Sequence, residues 1–179
     1  MSMAVTRHQS DDITTTTDPF NISARAYEIA TLGIEDVPSM VALQDRTGTE
    51  GIIARTQDYY YSHLMMGNLA IGVRDSEGVL VGHALIKDYE GTSLIQNVLV
   101  DPVHRGQKLA GRLINSWLDI AQMQGVELAQ ARVRPENLAS LKAFQACGLE
   151  ITATYPSPEN PHHMVHILTK DIKPGFIPA

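Results

Sequence analysis

The chain has 179 residues, of which 44% are hydrophobic and 19% are charged, a composition typical of a globular protein with a full-sized core. A formal net charge of -6 argues against a nucleic-acid surface, and no apolar run reaches the roughly 18 residues of a membrane span. Because there is one cysteine, Cys147, and no basic and apolar leader, we expect a cytoplasmic protein without disulfides, nucleic-acid partner or membrane partner.

The N-terminal segment differs in pattern from the rest of the chain. Residues 1–25 are polar, include four consecutive threonines, and show no hydrophobic period. We predict a flexible tail over 1–25 and a single domain over 26–179. Residues 27–32 alternate as in a strand, and the acids before Pro38 are typical of a helix start. A second helix is predicted over 58–66.

The middle of the chain predicts strands first and then a helix. Residues 69–74 and 79–88 flank a short polar segment that ends in glycine, which predicts an antiparallel hairpin. The next strand, 93–100, ends before Pro102 because proline cannot donate a ladder hydrogen bond. From 106 to 124 the apolar residues recur at helical spacing, and Gly125 ends that helix.

The last third predicts another strand and helix followed by two strands. A strand over 126–133 precedes a helix that Asn137 caps and Gly148 closes. Two final strands are predicted over 150–155 and 163–172. This order of elements predicts an α/β protein, in the sense of an α+β mixed sheet with helices on its faces.

The segment from 98 to 112 is the most informative for function. A strand runs through a short loop into a helix whose first turn contains small residues. Free backbone N–H groups and the dipole at a helix N-terminus attract a pyrophosphate, and Gly106, Ala110 and Gly111 would let it approach the main chain. The alternative for the same residues is an ordinary strand-to-helix turn, in which the glycines only allow the chain to pack closely.

Two motifs resemble those of the GNAT superfamily of N-acetyltransferases. In the family's acetyl-CoA motif, a strand ending in V-x-P precedes the sequence R-G-x-G-x-G/A. Arg105, Gly106 and Ala110 match this sequence, whereas Lys108 stands where the family has a glycine. The helix that begins at Asn137 is similar to the family's N-x-x-A/S helix. The resemblance covers about residues 26–172. It implies a GNAT-like central sheet, mostly antiparallel, of six to seven strands with helices on both faces.

The resemblance also implies which residues would hold acetyl-CoA, the acetyl donor. The strand would hydrogen-bond the pantetheine, the loop would hold the pyrophosphate, Asn137 would contact the cofactor arm, and Phe144 would line the thioester pocket. The expected cofactor-binding residues are Val98, Leu99, Val100, Arg105, Gly106, Gln107, Lys108, Leu109, Ala110, Gly111, Arg112, Asn137 and Phe144.

The family's usual acid and base have no counterparts here. Phe144 occupies the position of a tyrosine that protonates the departing thiolate, and Leu94 and Gln96 occupy positions where relatives often carry Glu or His. Gln96 can orient a water but cannot take a proton, so we assign it a relay role. Tyr155 is the candidate substitute acid, with an ordinary strand position as the alternative.

We therefore expect an N-acetyltransferase in which a neutral primary amine of a small molecule or peptide attacks the acetyl thioester directly. The alternative is a catalytically weak CoA-binding regulatory or interaction module. Residues 59–66, rich in Tyr and Met, form either a wall of the acceptor site or part of the core. No metal is expected, because His162, His163 and His166 lack acids or cysteines at ligand spacing. By the resemblance, the last strands would pair two copies in a homodimer.

Overall fold

The computed structural model describes residues 27–48, 54–157 and 160–172. The predicted tail over 1–25 lies outside these residues, and the single-domain prediction for 26–179 stays a prediction. The strands are β1 (Glu28–Thr31), β2 (Leu69–Arg74), β3 (Leu80–Tyr89), β4 (Thr92–Val100), β5 (Leu128–Val133), β6 (Glu150–Pro156) and β7 (Met164–Asp171). The helices are α1 (Val37–Thr47), α2 (Gln57–Met65), α3 (Leu109–Met123) and α4 (Leu138–Ala146).

The seven strands form one sheet in the order β1-β2-β3-β4-β5-β7-β6. Short turns join β2 to β3 and β3 to β4, and both pairs are antiparallel. The chain returns from β4 to β5 through α3, and this crossover makes β4 and β5 a parallel pair. All other neighbours are antiparallel. The predicted fold class, a mixed and mostly antiparallel sheet, is confirmed.

The helices cover both faces of the sheet, as predicted. On one face, Met40 and Leu43 of α1 and Tyr60 of α2 pack with Leu85 and Leu99. On the other face, α3 and α4 pack against the sheet through a larger apolar cluster. The buried side of α3 is the stripe predicted from its period, Leu109, Leu113, Ile114, Trp117, Leu118 and Ala121.

The start of α3 differs from the prediction. The helical period suggested a beginning near residue 106, whereas α3 begins at Leu109. Gly106 has a φ of 82° and Lys108 a φ of 58°, and residues in this left-handed region cannot continue a right-handed helix. The three residues before Leu109 therefore form a loop. Within the described ranges, no helix is both long and apolar enough to cross a membrane.

Candidate active site

The pairing of β4 with β5 ends partway along β4, and we call the opening between the two strands the cleft. Their parallel pairing runs from Thr92 to Ile95, whereas β4 itself continues to Val100 beside β3. In the β3–β4 register, Leu85 faces Gln96 but His83 faces Leu99, so β4 carries one extra residue between these pairs. Such a β-bulge bends the strand and increases its twist. Asn97 lies in the bulge with a φ of 55°.

The bulge directs two consecutive side chains of β4 towards α2. The Gln96 amide donates a hydrogen bond to the Tyr59 hydroxyl oxygen at 3.0 Å, and the Asn97 amide donates one to the Tyr60 hydroxyl oxygen at 3.1 Å. Without the bulge, successive side chains of a strand point to opposite faces. The polar groups of β4 and α2 therefore meet beside the opening of the cleft.

A buried polar cluster lies beneath this contact. The Tyr60 hydroxyl donates to the Gln44 side-chain oxygen at 3.1 Å, and Gln44 binds the main chain of Arg55 through both ends of its amide, at 2.7 and 2.8 Å. The ring of His83 lies 3.5 Å from the Tyr60 hydroxyl. One cluster thus connects the bulge, α1 and the residues that lead into α2.

Burial controls the protonation of this cluster. It raises the pKa of Tyr60 to about 12 and lowers the pKa of His83 to about 3. His83 is wholly buried, and in the described part of the chain its Nδ1 atom has no hydrogen-bond partner. Because desolvation penalises charge, Tyr60 keeps its proton and His83 stays neutral at neutral pH.

A side chain of α1 holds the loop between β4 and α3 in place. Arg46 pairs with Asp101 at 2.8 Å and also donates to the Leu80 carbonyl at 3.0 Å. The other carboxylate oxygen of Asp101 accepts from the Val103 N–H at 3.1 Å. Burial tends to raise the pKa of Asp101, but the hydrogen bonds from Arg46 and Val103 outweigh it and leave that pKa below its usual value. The loop therefore begins from an ionised, anchored carboxylate.

The same loop presents main-chain donors at the start of α3. The first bond of this helix joins the Arg112 N–H to the Lys108 carbonyl, so the N–H groups of Leu109, Ala110 and Gly111 have no partner within the helix. A Cβ atom at position 106 would meet no other atom within 4 Å, so steric crowding does not require glycine there. Glycine is favoured because the backbone has a left-handed φ. The side chain of Lys108 is exposed, as are those of Arg105, Gln107 and Arg112.

The structure places the predicted cofactor residues in two groups. Val98, Leu99 and Val100 lead through residues 101–104 to the segment Arg105 to Arg112, so these residues are close along the chain, although the side chains of Leu99 and Leu109 are buried in the core. Asn137 caps α4, where its side-chain oxygen accepts from the Ser140 N–H at 3.1 Å, and Phe144 is buried in the core. Cofactor contacts by Asn137 and Phe144 stay predictions.

The two predicted catalytic residues are not brought together. Gln96 lies at the cleft, but Tyr155 lies on β6, which is separated from β5 by β7. With about 5 Å between neighbouring strands, the backbone of Tyr155 lies about 10 Å from β5. A role for Tyr155 as the acid stays a prediction that this strand order disfavours.

Residues 59–66, predicted as either a wall of the acceptor site or part of the core, have different environments in the structure. Tyr60 is fully buried, Tyr61 and Leu64 pack against the core, and Met65 and Met66 are exposed. Tyr59 is only partly buried and reaches Gln96. Three consecutive tyrosines were the available signal, but helical period alone does not tell which of them faces β4.

The histidines near the C-terminus have ordinary surroundings. The His166 ring lies 2.7 Å from the Thr154 hydroxyl across β6 and β7, and the His162 N–H donates to the Asn160 side chain at 3.1 Å. Among the residues described, no group of three or more His, Cys, Asp or Glu is placed to hold a metal ion.

Comparison with known proteins matches residues 38–149 to the model of the acetyltransferase (GNAT) family. The chain is 25% identical over 103 residues to an L-methionine sulfoximine/L-methionine sulfone acetyltransferase of Salmonella typhimurium, covering 55% of this chain and 60% of that protein. It is 34% identical over 76 residues to an L-2,4-diaminobutyric acid acetyltransferase of Streptomyces coelicolor, covering 40% of this chain and 45% of that protein. The matches thus span about half the length of these relatives.

The fold is shared with solved structures. A GNAT superfamily phosphinothricin acetyltransferase from Sinorhizobium meliloti, solved in complex with AcCoA, matches with a TM-score of 0.71 over 84% of this chain and 90% of that chain. Its sequence identity of 11% limits the likeness to the fold.

Proposed function

The chain belongs to the GNAT acetyltransferase family, and on this premise we propose that it is an N-acetyltransferase that moves the acetyl group of acetyl-CoA to a primary amine of a small molecule or peptide. The observation that carries the proposal is the opening between β4 and β5, which leads to a helix start whose first N–H groups have no partner within the helix. A thioester arm and a pyrophosphate need these two features side by side.

The proposed donor site uses main-chain groups first and cations second. Beyond Ile95, β4 no longer pairs with β5 in the described structure, so the main chain of Val98 to Val100 can bind the pantetheine amides. The N–H groups at the start of α3 and the helix dipole would hold the pyrophosphate. The exposed side chains of Arg105, Lys108 and Arg112 add positive charge beside it. Lys108 takes the left-handed φ itself, so its replacement of a glycine leaves the loop geometry possible.

The proposed reaction is direct attack by the neutral amine. The Gln96 amide donates to Tyr59, so its carbonyl oxygen can orient the amine or a water that removes the proton. Main-chain N–H groups at the bulge would polarise the acetyl carbonyl. With a pKa of about 10.4, on the order of one alkyl amine in a thousand is neutral at pH 7, so the absence of a base should limit the rate most.

The names of two relatives support a class of acceptor to test. Two of them are named for acetylation of amino acids, which makes free amino acids and their analogues the first acceptors to test. Peptides with a free N-terminus form the second group. A purified protein should release CoA from acetyl-CoA in the presence of the right amine, with thiol measured by a colorimetric reagent and product by mass spectrometry.

The same experiment separates the enzyme from its rival, a CoA-binding regulatory or interaction module. The rival is favoured by Phe144, which has no proton to give, and by Leu94 and Gln96, which cannot take one. Tight binding of CoA in calorimetry, together with no acceptor-dependent thiol release over a broad panel of amines, would refute the enzyme and support the module.

The expected cytoplasmic location and homodimer are kept as parts of this proposal. β6 is an edge strand of the sheet, and an edge strand offers unpaired main-chain groups to a second copy. Light scattering after size-exclusion chromatography measures the oligomeric state, and cell fractionation measures the location.

A further inference from the structure

We propose that the hydroxyl group of Tyr59 donates the proton to the departing thiolate of CoA, the role that Phe144 cannot fill. This inference rests on the proposed acetyl transfer, and it adds a catalytic residue that the sequence alone did not single out.

The geometry leaves the Tyr59 proton available. The Tyr59 hydroxyl oxygen accepts a hydrogen bond from the Gln96 amide at 3.0 Å. A phenol has one proton to donate, and none of the described residues accepts it. The side chain is only partly buried, so a ligand in the cleft can reach it.

The tyrosine ring is held in place on several sides. The guanidinium carbon of Arg55 lies 4.4 Å from the ring centroid, and the His63 ring stacks with its centroid at 6.3 Å. Tyr60 contacts the ring edge-on, also at 6.3 Å. A fixed ring keeps the hydroxyl oriented without a further loss of entropy during the reaction.

The position of Tyr59 matches the expected place of the thioester. Gln96 immediately follows Ile95, the last residue of β4 that pairs with β5, and it precedes the bulge. A thioester arm bound along Val98 to Val100 would bring its sulfur towards this point of the cleft. The Tyr59 hydroxyl, bound directly to Gln96, is then the neighbouring proton donor.

The other nearby groups that carry a proton are already used or lie too far away. The Tyr60 proton goes to Gln44, and burial raises the pKa of Tyr60 to about 12. His63 uses its Nε2 atom to bind the Leu69 carbonyl at 3.0 Å. His83 is wholly buried with a pKa lowered to about 3, and Tyr155 lies two strands beyond β5. Of these hydroxyl and imidazole groups, Tyr59 is the one that combines a free proton with access to the cleft.

The proton balance closes without any additional reactant. The amine nitrogen forms a bond to the acetyl carbon, the carbon–sulfur bond breaks, and its electron pair stays on sulfur. Tyr59 passes its proton to that sulfur and receives one from the nitrogen of the new amide, directly or through a water held by Gln96. The net result moves one proton from the amine to the thiol of CoA.

The first test compares Tyr59→Phe with Tyr61→Phe, a control on the same helix whose side chain packs against the core. Phenylalanine keeps the ring contacts and removes only the hydroxyl. We expect kcat of Tyr59→Phe to fall by about 100-fold or more while the KM for acetyl-CoA stays unchanged, and Tyr61→Phe to keep the wild-type kcat. Thermal unfolding and CoA binding by calorimetry establish that both variants are folded.

The second test separates proton donation from a structural role. If Tyr59 protonates the leaving thiolate, Tyr59→Phe should lose less kcat with an acetyl thioester of a more acidic thiol than with acetyl-CoA, whereas a structural defect would lower kcat equally for both donors. A wild-type kcat in Tyr59→Phe overturns the inference and leaves the proposed function intact. A wild-type protein without turnover on any amine overturns the proposed function and this inference with it.

Discussion

Acid should destabilise this protein through His83 before most carboxylates are protonated. The imidazole is wholly buried on β3, and burial lowers its pKa from 6.5 to about 3. Below pH 6.5 the unfolded chain binds a proton at this position and the folded chain does not. The free energy of unfolding should therefore fall as the pH drops below 6.5 and level off near pH 3.

The size of the effect follows from that difference in pKa. Each pH unit below 6.5 costs about 1.36 kcal/mol, so at pH 5, about 1.5 units lower, the loss is about 2 kcal/mol. In a protein of this length, that corresponds to a decrease of about 4–8 °C in Tm. Burial also lowers the pKa of His63, so the wild-type protein alone does not isolate the contribution of His83.

The assay is urea unfolding of the wild type and His83→Leu at pH 7 and pH 5. The variant has lost the buried imidazole. Its free energy of unfolding should therefore fall by about 2 kcal/mol less between pH 7 and pH 5 than that of the wild type. Leu85→Val is the control, because it removes one methylene from the same strand and should cost about 1 kcal/mol at both pH values. Equal pH dependence in the wild type and His83→Leu would refute a neutral, buried His83.

Three further predictions concern the cleft and its loop. Gly106→Val should lose most of its CoA affinity in calorimetry, because a β-branched residue disfavours a φ of 82°. Gly106→Asn should keep more affinity, because asparagine tolerates that region, and equal affinities of the two variants would contradict this reasoning. Asn97→Ala should lower kcat more than Asn97→Gly. Both variants lose the hydrogen bond to Tyr60, but only glycine adopts the left-handed φ of the bulge without strain. A larger decrease in kcat for Asn97→Gly would show that the bulge is not needed. The kcat/KM of the wild type should keep rising with pH towards the pKa of the acceptor amine, and a plateau near pH 7 would reveal a base on the enzyme.

Much of the fold was readable from local patterns. The stripe of α3, the hairpin of β2 and β3, and the cap at Asn137 each depend on residues within a few positions of one another. Helical period and turn chemistry act over that range, so the sequence alone is sufficient to predict them. A loop before α3 was also predicted, but it extends to Lys108 because Gly106 and Lys108 have left-handed φ values, which residues other than glycine rarely adopt.

The chemistry of the cleft depends on contacts that no local pattern encodes. Gln96 was predicted to be a relay from its match to a position of the family's base, but its partner Tyr59 lies 37 positions away. That meeting requires α2 to pack on the face of β4 and the bulge to turn Gln96 and Asn97 to the same side. The sequence by itself determined most of the helices and strands, because backbone preference and periodicity are local. The tertiary structure decided which tyrosine reaches the cleft, because strand register and helix packing arise only when distant segments meet.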